Sequence, residues 1–274
     1  MNRTELSALK AWFADYCRSF YSSDAGEQRN ISLKELHTRN VCDNITAIAR
    51  DELLNEDRQV LAEVVALFHD VGRFPQYRQY KTFKDSESTN HAALSARVLL
   101  ESNVLAGFPK DEREIIVQSV RLHNVFAVPG KISPEVELFL KLVRDADKLD
   151  IWRVFIEYYA LPEEERASAV GLGFPDLPFC SEEVLACLDS GRMVNLAMLK
   201  TMNDFKLLQL SWVFDLNFAA SFRLLEERDY VGGIAATLPM NGRIEALARR
   251  LRRHVEERVA SHDAFKRSAR EYRS

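Results

Sequence analysis

The chain has few glycines, prolines and cysteines, and it has no long apolar run. Ten glycines and eight prolines among 274 residues are too few for a low-complexity chain or for one built mainly from strands and turns. No apolar stretch approaches the roughly 18 residues of a membrane span, and Glu5, Lys10 and Asp15 interrupt the amino-terminal segment where a signal peptide would be apolar. We therefore expect a cytoplasmic protein with no membrane partner.

Cysteine usage and charge exclude two further classes. Cys17, Cys42, Cys180 and Cys187 show no Cys-x-x-Cys spacing, so neither a disulfide framework nor a zinc cluster is expected. The net charge is −4, although the segment 243–274 has an excess of Lys and Arg. Such an excess is more typical of a solvated helix face than of a nucleic-acid interface, so nucleic acid is not an expected partner.

Helical periodicity runs through the chain, without the alternation of a half-buried strand. It predicts helices at 4–20, 31–54, 57–71, 91–102, 111–124, 134–160, 182–189, 193–228 (with a break allowed) and 241–265. Ser32 with Glu35 predicts a capping box for the second helix, and Ser133 before Pro134 predicts the start of the sixth. Loops are expected at 72–90 and 161–181. The expected fold class is all-α, with a helical core at 1–160 and a helical extension at 161–274 packed on it, or one continuous domain.

Histidines and aspartates interrupt the apolar faces of these helices. His37 shares a stripe with Leu33, Val41 and Ile45, and the other such residues are His69, Asp70, His91, His123, Asp145, Asp147 and Asp150. Gly72 is predicted to end the third helix just after His69 and Asp70. Burying such groups unpaired is costly, whereas a divalent cation turns that cost into coordination energy. The pattern therefore predicts a metal centre with nitrogen and oxygen ligands, which suits iron, manganese, nickel, cobalt or zinc.

The order of these residues, with "HDVGR" at 69–73 and "DADKLD" at 145–150, resembles the HD-domain superfamily of metal-dependent phosphohydrolases from about residue 36 to residue 149. The resemblance implies an HD-domain helical bundle that binds two divalent ions. His37, His69, Asp70 and Asp147 would hold one ion, and His91 and His123 would hold the second, with Asp70 as a bridge. Asp145 and Asp150 would lie behind the ligands or at the surface.

The same resemblance implies hydrolysis of a phosphate ester or anhydride of a small molecule, with a nucleotide as one candidate, by attack of a metal-bound hydroxide. Asp70 is then catalytic through the ions, and Arg73 and Lys148 are the expected cations for the phosphate, with Arg121 and Arg153 as further candidates. The alternative for Arg73 is an ion pair with a surface carboxylate. The basic and aromatic residues of 72–90 predict either a lid that stacks on a base or a segment anchored to its own domain.

Two other functions stay open at this point. The ligand order also resembles that of the HD-fold di-iron oxygenases, and ligands alone do not separate the two reactions. A regulatory module without turnover is the other alternative, which the complete ligand set disfavours. The aromatic helical segment at 207–227 predicts core, and it could also line the substrate pocket or form a homodimer contact.

Overall fold

The regular structure of the chain is helical. The computed structural model describes residues 1–171 and 173–271, and every regular element in that part of the chain is a helix, which confirms the all-α class. None of these helices is both long and apolar enough to cross a membrane. The chain forms two compact units, Met1–Ile151 with Leu161–Leu172 and Trp152–Ala160 with Gly173–Ser274. The predicted division at residue 160 stays a prediction.

The first unit contains seven of the α-helices, the last of which continues into the second unit. They are α1 (Arg3–Arg18), α2 (Ala25–Asp51), α3 (Glu56–Phe68), α4 (Arg73–Tyr80), α5 (His91–Glu101), α6 (Lys110–Leu122) and α7 (Pro134–Ala160). The others are α8 (Glu182–Asp189), α9 (Met202–Ser211), α10 (Ala219–Glu227), α11 (Tyr230–Ala235) and α12 (Gly242–Glu271).

Helix α3 runs through the core of the first unit. Every residue from Val60 to Phe68 is buried, and α1, α2 and α6 pack against this helix. A helix that is enclosed in this way is apolar on all sides, which explains the sequence "VLAEVVALF". Glu63 is the exception, and it forms ion pairs with Lys10 and Arg3 of α1. The end of α3 is therefore held firmly where His69 and Asp70 follow.

The predicted capping box at Ser32 and Glu35 is wrong, because α2 begins seven residues earlier, at Ala25. Asp24 caps the helix by accepting a hydrogen bond from the backbone N–H of Glu27, and an Asp at this position stabilises the first turn. Ser32 and Glu35 lie inside the helix. At α7 the prediction is confirmed, because the Ser133 hydroxyl accepts from the backbone N–H of Val136 at 3.2 Å.

Residues 72–90, predicted as a loop, contain α4 and a 3-10 turn at Asp85–Glu87. Pro75 lies in the first turn of α4, where its missing N–H has no helical partner to lose. Phe74, Tyr77 and Phe83 are buried. Arg78 lies over the ring of Phe20 and donates to the Ser19 carbonyl, and Lys81 pairs with Glu27. The segment is thus anchored to its own unit. Three of its four aromatic residues are unavailable for stacking on a base, and Tyr80 is exposed.

In the second unit, the predicted helix at 193–228 is interrupted. Helix α9 ends at Ser211, a 3-10 turn covers Trp212–Asp215, and α10 begins at Ala219. The short helix α11, which the sequence analysis did not predict, lies between α10 and α12 in the chain and contacts both. The four cysteines are free.

Candidate metal centre

The structure brings the six predicted ligands together from five helices of the first unit. His37 lies in α2, His69 and Asp70 follow α3, His91 begins α5, His123 follows α6, and Asp147 lies in α7. Two groups have ligand atoms within 4.8 Å of one another, namely His37, His69 and Asp70, and Asp70, His91 and His123. Asp147 joins the first group, because its Oδ1 lies 3.1 Å from His37 Nε2 and 3.7 Å from His69 Nε2.

Asp70 belongs to both groups, and each of its oxygens faces one pair of histidines. Oδ2 lies 3.7 Å from His37 Nε2 and 3.8 Å from His69 Nε2. Oδ1 lies 3.5 Å from His91 Nε2 and 3.9 Å from His123 Nε2. Oδ1 is buried and accepts no hydrogen bond, although the guanidinium of Arg73 lies 3.4 Å away, so it has room for a further cation. This is the arrangement expected of a carboxylate that bridges two ions.

The four imidazoles all present Nε2 to the centre. Nδ1 of His69 lies 2.7 Å from the Ala66 carbonyl oxygen, and Nδ1 of His123 lies 2.8 Å from that of Val120. Carboxylates face the other two Nδ1 atoms, those of His37 and His91, each at 2.7 Å. Because every one of these partners is an acceptor, each Nδ1 carries a proton, and any of the four rings that is neutral has a lone pair on Nε2.

These lone pairs oppose each other in pairs. The Nε2 atoms of His37 and His69 are 3.3 Å apart, and those of His91 and His123 are 3.1 Å apart. Two lone pairs at such distances repel unless a proton or a cation lies between them. The raised pKa of His37 gives the first pair such a proton, whereas the lowered pKa values of His91 and His123 leave the second pair without one. Buried imidazole nitrogens and carboxylate oxygens are also ligands that transition metals accept. The residues present therefore fit divalent ions.

The ionisation states favour metal binding. Burial lowers the pKa of His69 and His91, and it lowers that of His123 to about 3. Burial and Lys34 oppose protonation of His37, but hydrogen bonds with Asp147 and Asp150 raise its pKa to about 9. Burial opposes ionisation of Asp70, yet Lys34, His69 and Arg73 hold its pKa well below the usual range. Apart from His37, which must release a proton, the ligands are in the forms that metals bind.

The two groups are built alike. The histidines of each pair are separated by 32 residues in sequence. In each pair, one histidine follows a helix and bonds to a carbonyl oxygen of that helix, and the other is backed by a carboxylate. The sequence after α3 is His-Asp-Val, and that after α6 is His-Asn-Val. This repeated spacing was present in the sequence, but the sequence analysis did not use it.

Two cations contact Asp70. Arg73 Nε lies 3.4 Å from Oδ1, and Arg73 Nη1 also donates to Gln76, to the Phe83 carbonyl and to Asp85. Lys34 Nζ lies 2.8 Å from Oδ2. The sequence analysis missed Lys34, although it precedes His37 by three residues and therefore lies on the same face of α2.

Three further cations were predicted for the phosphate. Lys148 is buried, and its Nζ lies 3.5 Å from the Arg144 carbonyl oxygen. Arg121 is exposed, and Arg153 pairs with Glu157 at 2.6 Å. Their predicted roles toward a phosphate stay predictions.

Two carboxylates contact histidine Nδ1 atoms on the side away from the centre. Asp150, 1 % exposed, accepts from His37 Nδ1, in line with one of the two positions expected for it. Asp85 accepts from His91 Nδ1. The sequence analysis missed Asp85 because it lies in the segment predicted as a loop, six residues before His91.

Gly72 acts through close approach and not through helix termination, so the sequence prediction is wrong on this point. Helix α3 ends at Phe68, and Gly72 precedes α4 with φ −68°, a value that any residue adopts. Its N–H donates to Ser95 Oγ at 2.8 Å. A Cβ here would lie 2.5 Å from the Ser95 nitrogen and 2.6 Å from the His91 carbonyl oxygen. The absence of a side chain allows α5, and with it His91, to reach Asp70.

Comparison with known families agrees with this geometry. Residues 36–152 match the family model described as HD domain, and this range contains all six of the predicted ligands. No curated protein and no solved structure matches the chain. The match, the helical fold and the buried His and Asp clusters together identify residues 36–152 as an HD domain.

Proposed function

We propose that this chain is a metal-dependent phosphohydrolase with a dinuclear centre, which hydrolyses a phosphate ester or anhydride of a small molecule. The HD domain family consists largely of metal-dependent phosphohydrolases. The observation that carries the proposal is the position of Asp70, with each of its oxygens facing the Nε2 atoms of one histidine pair.

His37, His69, Asp70 and Asp147 would hold one ion, and His91 and His123 would hold the second, with Asp70 shared. Bound there, the ions would lower the pKa of a water molecule toward neutrality and would take up negative charge on the phosphate. His69 and His123 are fixed by carbonyl groups of their own helices, so they need little rearrangement on binding. The protein's part is to hold this donor set in a buried, rigid frame.

The charge of the loaded centre favours an anionic substrate. Two divalent ions with Asp70 and Asp147 sum to about +2, whereas one ion with the same carboxylates sums to about zero. Once Asp70 binds ions, Lys34 and Arg73 lose part of the negative charge that they now contact. A phosphate group would restore that charge, so we assign Arg73 and Lys34 to the phosphate oxygens. Lys148, beside Asp147 in sequence, is assigned as a further cation for the phosphate.

A substrate screen tests the proposal. The full chain, loaded in turn with manganese, iron, nickel or cobalt, is assayed for phosphate release from nucleotides, dinucleoside polyphosphates and sugar phosphates. We expect turnover in the wild type and none in Asp70→Ala, while Asp43→Ala, which removes an exposed carboxylate from α2, keeps full activity. Oxygen consumption without phosphate release by the iron-loaded protein would contradict the proposal and favour an oxygenase. Metal binding without either reaction would favour a regulatory module.

A further inference from the structure

Asp85 connects the second histidine pair to Arg73, one of the cations assigned to the phosphate. It lies in the 3-10 turn between α4 and α5, with 30 % of its side chain exposed. Its Oδ2 accepts from His91 Nδ1 at 2.7 Å and from Asn124 Nδ2 at 3.3 Å. Its Oδ1 accepts from Arg73 Nη1 at 3.1 Å and from Gln76 Nε2 at 3.0 Å. One carboxylate thus joins α4, the start of α5 and the segment just after α6.

We propose that Asp85 is a positioning residue for the second ion, acting through His91; this rests on the two-ion centre of the proposed function. By accepting from Nδ1, Asp85 fixes the tautomer of His91 whose Nε2 lone pair faces Asp70 Oδ1. A carboxylate in this position also makes the imidazole a better donor to a metal. Through its other oxygen, Asp85 keeps Arg73 beside the same oxygen of Asp70.

Asp150 provides a matched comparison at the first ion. It faces His37 Nδ1 at 2.7 Å, the same distance as between Asp85 and His91. Each carboxylate therefore accepts a hydrogen bond from Nδ1 of one histidine, in a different histidine pair. Removing the charge of Asp85 should lower the affinity for the second ion, and removing the charge of Asp150 should lower the affinity for the first.

Manganese titration of the full-length, metal-free protein tests the assignment. Asp85→Asn keeps the size of the side chain and removes its charge. Loss of such a partner weakens metal binding about 10- to 100-fold, so we expect Asp85→Asn to bind one Mn²⁺ with wild-type affinity and the other about 10- to 100-fold more weakly. The spin-coupled signal of a manganese pair should give way to that of an isolated Mn²⁺ ion at one equivalent. Glu87→Gln, which removes an exposed charge from the same turn, should behave as the wild type.

The remaining outcomes separate the causes. The proposal would be overturned if folded Asp85→Asn bound both ions with wild-type affinity. It would also be overturned if the substitution lowered the affinity for both ions equally. If Asp150→Asn lowers the affinity for the same ion as Asp85→Asn does, the assignment of one carboxylate to each ion is wrong. A wild type that binds one ion and releases phosphate would overturn this inference while leaving a mononuclear phosphohydrolase in place.

A measurement on the wild type covers the case in which Asp85→Asn does not fold. Nitrogen-15 spectra of the metal-free protein report which imidazole nitrogen carries the proton. We expect His91 to be protonated on Nδ1. Protonation of His91 on Nε2 alone would contradict the role given to Asp85. In Asp85→Glu, which keeps the carboxylate, we expect both ions to bind and the same tautomer to persist.

Discussion

Substitution of Gly72 by Ala tests how closely Gly72 packs against helix α5, which carries His91. The new Cβ would lie 2.5 Å from the Ser95 nitrogen, whereas ordinary contacts begin at 3.4 Å, so the first turn of α5 must move by about 0.9 Å. These atoms are backbone, and no side-chain rotation relieves the contact. Overpacking of this kind costs about 1–3 kcal/mol of unfolding free energy.

The same displacement reaches the centre through His91, whose carbonyl oxygen is another of the crowded atoms. Misplacement of a catalytic group by about 1 Å can reduce turnover about 100-fold. Because His91 belongs to the second site, the affinity for the second ion should fall more than the affinity for the first. Denaturant unfolding, manganese titration and phosphate release measure the three effects. Gly107→Ala is the control, because a Cβ at Gly107 meets nothing within 4 Å. Wild-type stability and wild-type binding of both ions in Gly72→Ala would refute the reasoning.

Other perturbations test charge, backbone strain and metal linkage. In the metal-free protein, the unfolding free energy should fall as the pH rises from about 6.5 to about 9. The pKa of His37 is raised in the folded state, so protonated His37 stabilises the fold fully below its unfolded-state pKa, and this stabilisation is lost above its folded-state pKa. Denaturant titrations across this range check it, and His37→Gln should lose the slope. Leu53 is 85 % exposed at φ 57°, so Leu53→Gly should raise the unfolding free energy by about 1 kcal/mol; a lowered value would contradict this. Free Mn²⁺ at 100 times Kd should stabilise the wild type in thermal denaturation by about 2.7 kcal/mol for each ion bound, and an equal gain in Asp70→Ala would count against shared ligation.

The sequence predicts helices well where apolar spacing is regular. The predicted helices at 134–160 and 182–189 match α7 and α8, because periodic burial and a clear amino-terminal signal coincide there. Helix α4 could not be predicted in the same way. Its Pro75 reads as a breaker in sequence, and only the position of that proline in a first turn makes it compatible with a helix.

The ligands were predictable because their order along the chain resembles a known family. Their supporting groups were not, because each depends on a tertiary contact. Lys34 meets Asp70 across 36 residues of sequence, and Asp85 reaches His91 only because the segment before α5 folds back as a 3-10 turn. The role of Gly72 depends on the approach of another helix, which no local pattern reports.

Metal content tests the central claim most directly. The freshly purified full chain and its Asp70→Ala variant are analysed for metal per polypeptide, with folding checked by circular dichroism. A shared carboxylate predicts two divalent ions in the wild type and loss of both in the variant. Less than one ion per wild-type chain after reconstitution, or two ions retained by folded Asp70→Ala, would contradict the account.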